Sequence, residues 1–165
     1  MKSYKTLCII LINIFLTMFL TGCVFEDPKY INLRNKPNLY SYSNEVYKKI
    51  KNNEEFTVKV FDYNLYKYYD VPTSDNDVIL SFFQSLTNDN YKDEIPEDIT
   101  SPCYKLIIEF NNREKSKYII DVYNNNFVTL FPWDGNFPKD KITMDDVPKY
   151  DNLYDFCIYI INKRD

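Results

Sequence analysis

The chain predicts an α+β domain, an antiparallel sheet of about five strands with helices packed on one face. Three observations carry this reading. Apolar residues alternate through most of Tyr104 to Phe131, as three consecutive strands would require; stripes of helical period flank that run, at 78–86 and 153–161; and neither a regular βα alternation nor an internal repeat is present. Taken in order, Val46 and Ile50 lie four apart and predict a short helix over roughly 44–52, with Ser43 as its cap. Phe56, Val58 and Val60 alternate with Thr57, Lys59 and Phe61, and after Asp62-Tyr63-Asn64 a second run from Leu65 to Val71 is stopped by Pro72, which reads as a hairpin. Ser74 opens a helix whose first turn carries Asp75, Asn76 and Asp77 and whose stripe is Val78, Ile79, Phe82, Phe83 and Leu86, ending near Thr87.

Asn88 to Pro102 is polar, aperiodic and interrupted by Pro96, so it reads as a loop. The three alternating strands follow: Tyr104 to Phe110, the Tyr118-Ile120-Val122 run and Phe127 to Phe131, separated by turns at 111–115 and 124–126. Pro132-Trp133-Asp134-Gly135 closes this meander, and Pro138 to Tyr150 reads as ordered loop with a brief strand at Ile142 to Met144. The last helix, Asn152 to Asn162, has Leu153, Phe156, Cys157, Ile160 and Ile161 at offsets 0, 3, 4, 7 and 8, with Asp151 placed to cap it.

Ahead of this domain stands a tripartite segment. Lys2 and Lys5 are followed by an apolar run from Leu7 to Leu20 and then by Thr21-Gly22-Cys23. At about 1.5 Å per residue the run is roughly 21 Å long, short of a hydrocarbon core of about 30 Å. Leu20-Thr21-Gly22-Cys23 resembles the lipobox of bacterial lipoproteins. The resemblance implies cleavage between Gly22 and Cys23, a diacylglycerol thioether on the Cys23 sulfur, and residence on the outer face of the cell membrane. A two-chain anchor holds where a single myristoyl chain is marginal. Residues 1–22 are then a signal peptide, 23–38 a tether carrying Pro28 and Pro37, and 39–165 the single α+β domain. The arrangement from Phe56 to Phe131 is also similar to small uncharacterised lipoproteins of low-GC Gram-positive bacteria, and that similarity brings no activity with it.

Composition excludes several function classes. Removing Lys2 and Lys5 from the 20 basic residues leaves 18 against 24 acidic ones, a formal charge of −6, which disfavours nucleic acid as a partner. The chain has no histidine, so Ser-His-Asp and Cys-His nucleophile pairs and histidine-ligated zinc fall away. Gly135 is the one glycine beyond Cys23, too few for a phosphate loop. No cofactor and no metal are expected, and the chain is not expected to be an enzyme.

The remaining candidates are few. Cys103 and Cys157 would form one disulfide, or stay as buried free thiols. Asp75-Asn76-Asp77 lacks the further oxygens, glycine and glutamate of a calcium loop and reads as helix capping. Glu94, Glu97 and Asp98 share a loop and could divide acid and base roles in a hydrolase of envelope glycans, although carboxylates in a polar loop are ordinarily solvated. Trp133 sits in a turn between Phe131 and Phe137, and the simpler expectation is that it folds back over the end of the core. If it stands out instead, Trp133 and Asp134 form the leading contact site, with the tyrosines of the first hairpin, Tyr66 and Tyr68, next. The function expected is a binding module for a protein, peptide or glycan at the cell surface. The alternatives are the carboxylate hydrolase and a structural envelope component.

Overall fold

Residues 36–163, apart from 98, 112–114, 125 and 136, are described by the structure, a computed structural model. Six strands form one antiparallel sheet: β1 (Phe56–Asp62), β2 (Lys67–Asp70), β3 (Tyr104–Phe110), β4 (Lys117–Asn124), β5 (Phe127–Pro132) and β6 (Asp140–Thr143), in the order β2-β1-β3-β4-β5-β6. Three helices, α1 (Ser41–Lys51), α2 (Asp77–Ser85) and α3 (Leu153–Asn162), accompany it among the described residues. After the β1–β2 hairpin the chain passes through α2 before β3 returns to pair with β1, so β1 ends up between β2 and β3.

The period-2 alternation decides which side chains face the helices. Val58 and Val60, Leu106 and Ile108, Ile120 and Val122, and Val128 and Leu130 occupy matching registers and are all buried on one face. Val46 of α1, Ile79 and Phe82 of α2, and Leu153, Phe156, Cys157 and Ile160 of α3 pack into the same core. Apolar surface removed from water contributes about 25 cal/mol per Å², and this face holds the main hydrophobic cluster of the described residues.

The start of each helix departs from the sequence reading: at α1 a long-range partner stands in for the local cap, and at α2 and α3 a 3₁₀ turn comes first. Ser43 lies inside α1 rather than ahead of it, and Asp140 of β6 does the capping. Asp140 Oδ2 accepts from Ser43 N (2.6 Å) and from Ser43 Oγ (2.7 Å). A charged acceptor reaching an unsatisfied helical N–H from outside makes a stronger bond than a hydroxyl can. Asp140 Oδ1 in turn lies 2.6 Å from Lys36 Nζ, so the chain is tied into the body three residues before Leu39.

In α2 the stretch from Thr73 to Asp75 is a separate 3₁₀ turn, and no side chain of Asp75-Asn76-Asp77 caps the helix. Asp75 pairs instead with Lys163 at 2.8 Å, and Asn76 Nδ2 donates to Phe56 O. The helix stops at Ser85, because Leu86 is extended and Thr87 begins a reciprocal capping box with Asn90. In α3 the cap is Asn152, whose Oδ1 accepts from Tyr154 N and Asp155 N; Asp151 is taken up by a 3₁₀ turn that starts after Pro148.

The sheet has six strands rather than about five. The sixth spans Asp140–Thr143 rather than 142–144, and its outer edge is covered by the loop before β3. There Tyr91 bridges Ile142, Lys92 N donates to Lys141 O, and Asn90 Nδ2 donates to Thr143 O. A covered edge offers no template for another chain.

Candidate functional site

Among the described residues helices cover only one face of the sheet, and the residues of odd number on the central strands face the other way. That second face is a mosaic of lysines, carboxylates and rings, and the candidate contact residues lie at two of its corners.

Trp133 follows the last residue of β5 and is 70% exposed, so it does not fold back over the core as the simpler expectation had it. Its backbone N–H still donates to Lys117 O (2.9 Å), which continues the β4–β5 pairing. The Lys117 ammonium lies 5.5 Å from the centre of the indole and 2.6 Å from a Glu109 carboxylate oxygen on the next strand. Gly135 N donates to Pro132 O, and a Cβ at position 135 would meet Pro132 Cγ at 2.9 Å, closer than real side chains approach. The lone glycine of the domain therefore lets this turn close tightly. Asp134 is exposed beside Trp133.

The second corner is the β1–β2 hairpin. Its turn takes up residues 63–66, so Leu65 and Tyr66 form the tip instead of starting β2. Buried Asp62 organises it: Oδ1 accepts from Asn64 N (2.7 Å) and Leu65 N (3.1 Å), and Tyr66 adopts the left-handed conformation with φ 51°. Around half-buried Phe61 stand Tyr68 at 4.6 Å, Tyr63 at 5.1 Å and Tyr66 at 6.1 Å between ring centres. Tyr66 and Tyr68 are well exposed. Lys105 lies over the Tyr63 ring, and its hydrogen bond to Tyr63 pushes its pKa above the ordinary lysine value.

These two corners do not form one site. Tyr68 aligns through Phe61, Lys105 and Asp121 with Thr129, and Trp133 lies four strands across and four residues further along. At roughly 4.8 Å per strand and 3.4 Å per residue the separation is on the order of 20 Å.

Between the corners the face is sealed by its own side chains. Asp121, 6% exposed, is paired with Lys139 at 2.9 Å, and the Lys139 ammonium lies 4.0 Å from the centre of the Phe131 ring. Ile119, Phe127 and Thr129 are buried beneath this cover. Lysine stems readily shield apolar surface while their charged ends stay wet. What stands free is therefore at the corners and not in the middle. Alternation in the sequence marks which residues face this way, but the pairing of Trp133 with Lys117, sixteen residues earlier, carries no local signal.

The other candidates fall elsewhere. Cys103 and Cys157 are free thiols: Cys157 is buried in the helical core, and Cys103 Sγ donates to Tyr123 O. Burial pushes both thiols above their ordinary pKa, with the Asp62 carboxylate adding to the shift. Reactive thiols are ordinarily lowered in pKa, the opposite direction. Glu94 and Glu97 are exposed on the loop beside β6, and Asp98 lies outside the described residues. Gly22 and Cys23, with the whole lipobox, also lie outside them.

A feature that the sequence reading missed is a cleft of about 520 Å³ where the end of α1, the start of β1 and the start of α2 meet. Its residues come from three separate segments, each ordinary by itself.

Comparison with known proteins bears on the whole domain. No curated protein matches the sequence. The crystal structure of a "Putative Lipoprotein from Clostridium perfringens" is similar at 29% identity and a TM-score of 0.67, covering 77% of this chain and 98% of that one. Residues 36–157 match the model of a domain of unknown function, DUF4883. The matched segment begins at Lys36, the residue tied to Asp140, and takes in every strand and the first half of α3; the chain belongs to the DUF4883 family.

Proposed function

We propose that the chain is a lipid-anchored extracytoplasmic module that binds a protein, peptide or glycan partner at the outer face of the cell membrane, with Trp133 as its principal contact. The observation that carries this reading is the state of Trp133. A large apolar ring is kept 70% exposed on a turn closed around Gly135, with the Lys117 ammonium near its face. A rigid exposed aromatic gives up little conformational freedom on binding and supplies much apolar contact area. The tyrosine hairpin is a second, separate contact on the same face. The similarity to the Clostridium perfringens lipoprotein supports the anchor, as does the lipobox resemblance at Cys23.

The test places a photo-crosslinking amino acid at position 133, and separately at position 66, in the full chain on intact cells. A discrete adduct from position 133 is expected, with a weaker one from position 66; no adduct from either would remove the binding reading. The anchor has its own test. Labelling with a fatty-acid analogue should tag the wild type and fail for Cys23→Ala, and an untagged wild type would end the lipoprotein assignment.

A further inference from the structure

We propose that the tip of the β1–β2 hairpin is a membrane-docking element, seated in the headgroup layer of the phospholipid bilayer that holds the lipid on Cys23. The proposal deepens the reading above and rests on its anchor: the contact second to Trp133 is then with lipid, and Trp133 is left to the partner. Asp62 and Tyr104 form the last paired row of β1 and β3, one further bond joins Tyr63 N to Cys103 O, and the turn at 64–66 stands at this end of the sheet. Leu65 is 62% exposed, Tyr66 81% and Tyr68 61%, with Phe61 at the base of the two tyrosines. Tyrosine rings with an apolar body and a polar end collect at membrane interfaces, where elements of this kind settle roughly 5–10 Å deep.

The backbone of Tyr66 is a second observation. Its φ of 51° lies in the left-handed region, which glycine or asparagine ordinarily fills, and the ring held there is given little burial in return. A strained residue that the core does not use points to a contact outside the domain.

Charge is a third. Within residues 61–68 the one carboxylate is Asp62, which is buried and whose Oδ1 is occupied by the Asn64 and Leu65 amides, whereas Lys67 is exposed and Lys105 lies beside Tyr63. Exposed Asp70, further along β2, is matched by Lys59 at 3.7 Å. The tip therefore presents positive charge although the chain beyond Cys23 is acidic as a whole. Anionic headgroups attract the one and repel the other, which turns the tip toward the bilayer.

Reach is sufficient. Lys36 is tied to Asp140, which aligns through Leu130, Ile120 and Leu106 with Val60. Four strand spacings and about four residues along β1 place the tip on the order of 25 Å from that tie. The 36 − 23 = 13 residues from Cys23 to Lys36 extend at most about 45 Å, enough to bring lipid and tip to one surface. Trp133 is level with Lys117, Glu109 and Thr57, roughly 17 Å back along the strands from Asp62, so a docked tip holds it away from the bilayer.

The lone tryptophan makes the test direct. Full-length protein, its lipid verified by mass spectrometry, is placed in nanodiscs of phosphatidylglycerol and phosphatidylcholine with brominated acyl chains, in the wild type and in the variant Leu65→Trp, Trp133→Phe. Bromolipid should quench the reporter at position 65 at least twofold and leave Trp133 unchanged, while aqueous iodide should do the reverse. Adding Tyr66→Gly should remove at least half of the lipid quenching without lowering the melting temperature, since glycine suits the left-handed backbone. Lipidated protein whose position 65 is as wet as Trp133, equal lipid quenching at both positions, or undiminished quenching with Tyr66→Gly overturns the proposal alone. Wild-type protein carrying no lipid on Cys23 overturns the anchor and the proposal with it.

Discussion

The two faces of the sheet are built from the same strands, residue by residue in alternation, yet they are covered by different means. One face is closed by three helices and is apolar throughout its centre. The other is closed by the stems of its own lysines, each held by a carboxylate or ring: Lys139 by Asp121 and Phe131, Lys117 by Glu109 and Trp133, Lys105 by Tyr63. The first arrangement gains its stability from area removed from water and tolerates little change. The second consists largely of exposed pairs worth little individually in water, laid over buried Ile119, Phe127 and Thr129.

The sharpest way to break the helical side is at Asp140, which is fully buried. Asp140→Ala leaves Ser43 N, the Ser43 hydroxyl and Lys36 without their acceptor and should cost about 3–5 kcal/mol. Urea unfolding of the variant measures this, and a loss no larger than that of a surface pair would show the cap to be dispensable. Neighbouring residues of β3 then compare the faces directly. Leu106→Ala, on the helical face, should cost about 2–5 kcal/mol, and Ile107→Ala, half-buried on the other face, distinctly less. Equal losses would mean that the second face is a core in its own right.

Alkaline pH offers an intermediate test. The Cys157 thiol is raised by burial, so its neutral form contributes stability that is complete below the unfolded thiol value of about 8.5 and is lost as pH climbs above it. The slope is roughly 1.4 kcal/mol per pH unit, and Tyr91 and Tyr104, pushed up to about 12 by burial, extend the decline above about pH 10. Between pH 8 and 10 under reducing conditions, Cys157→Ala should lose less stability than the wild type does. A parallel loss would place the titrating group elsewhere. The smallest effect belongs to Trp133→Ala, expected to shift stability within about 0.5 kcal/mol while the adduct pattern on cells changes.

Much of this division was legible in the chain. Alternation from Tyr104 to Phe131 specified three strands and the face each side chain takes, because every register position on the helical side is apolar. β6 was blurred because Asp140 stands at a position facing the core, which interrupts the pattern the eye follows. Helix starts were misplaced for a related reason: Ser43, Ser74 and Asp151 are good local caps, and the folded chain used Asp140, a 3₁₀ turn and Asn152. Trp133 could be singled out, since a lone tryptophan in a Pro-Gly turn is conspicuous. Its exposure could not be read, because Lys117 and the tight turn at Gly135 meet only after the sheet has formed. The cleft between α1, β1 and α2 was invisible for the same reason, its parts lying at 50–57, 73–80 and 111.

The tie between Lys36 and Asp140 also fixes where mechanical load enters the domain. Any pull applied through the N-terminal segment is delivered to β6 and the first turn of α1 through an ion pair shielded from water, at the opposite end of the strand order from the β2 edge. The β1–β2 hairpin would be the last part of the sheet to feel such a force, while the turn bearing Trp133, which joins β5 to β6, would be among the first.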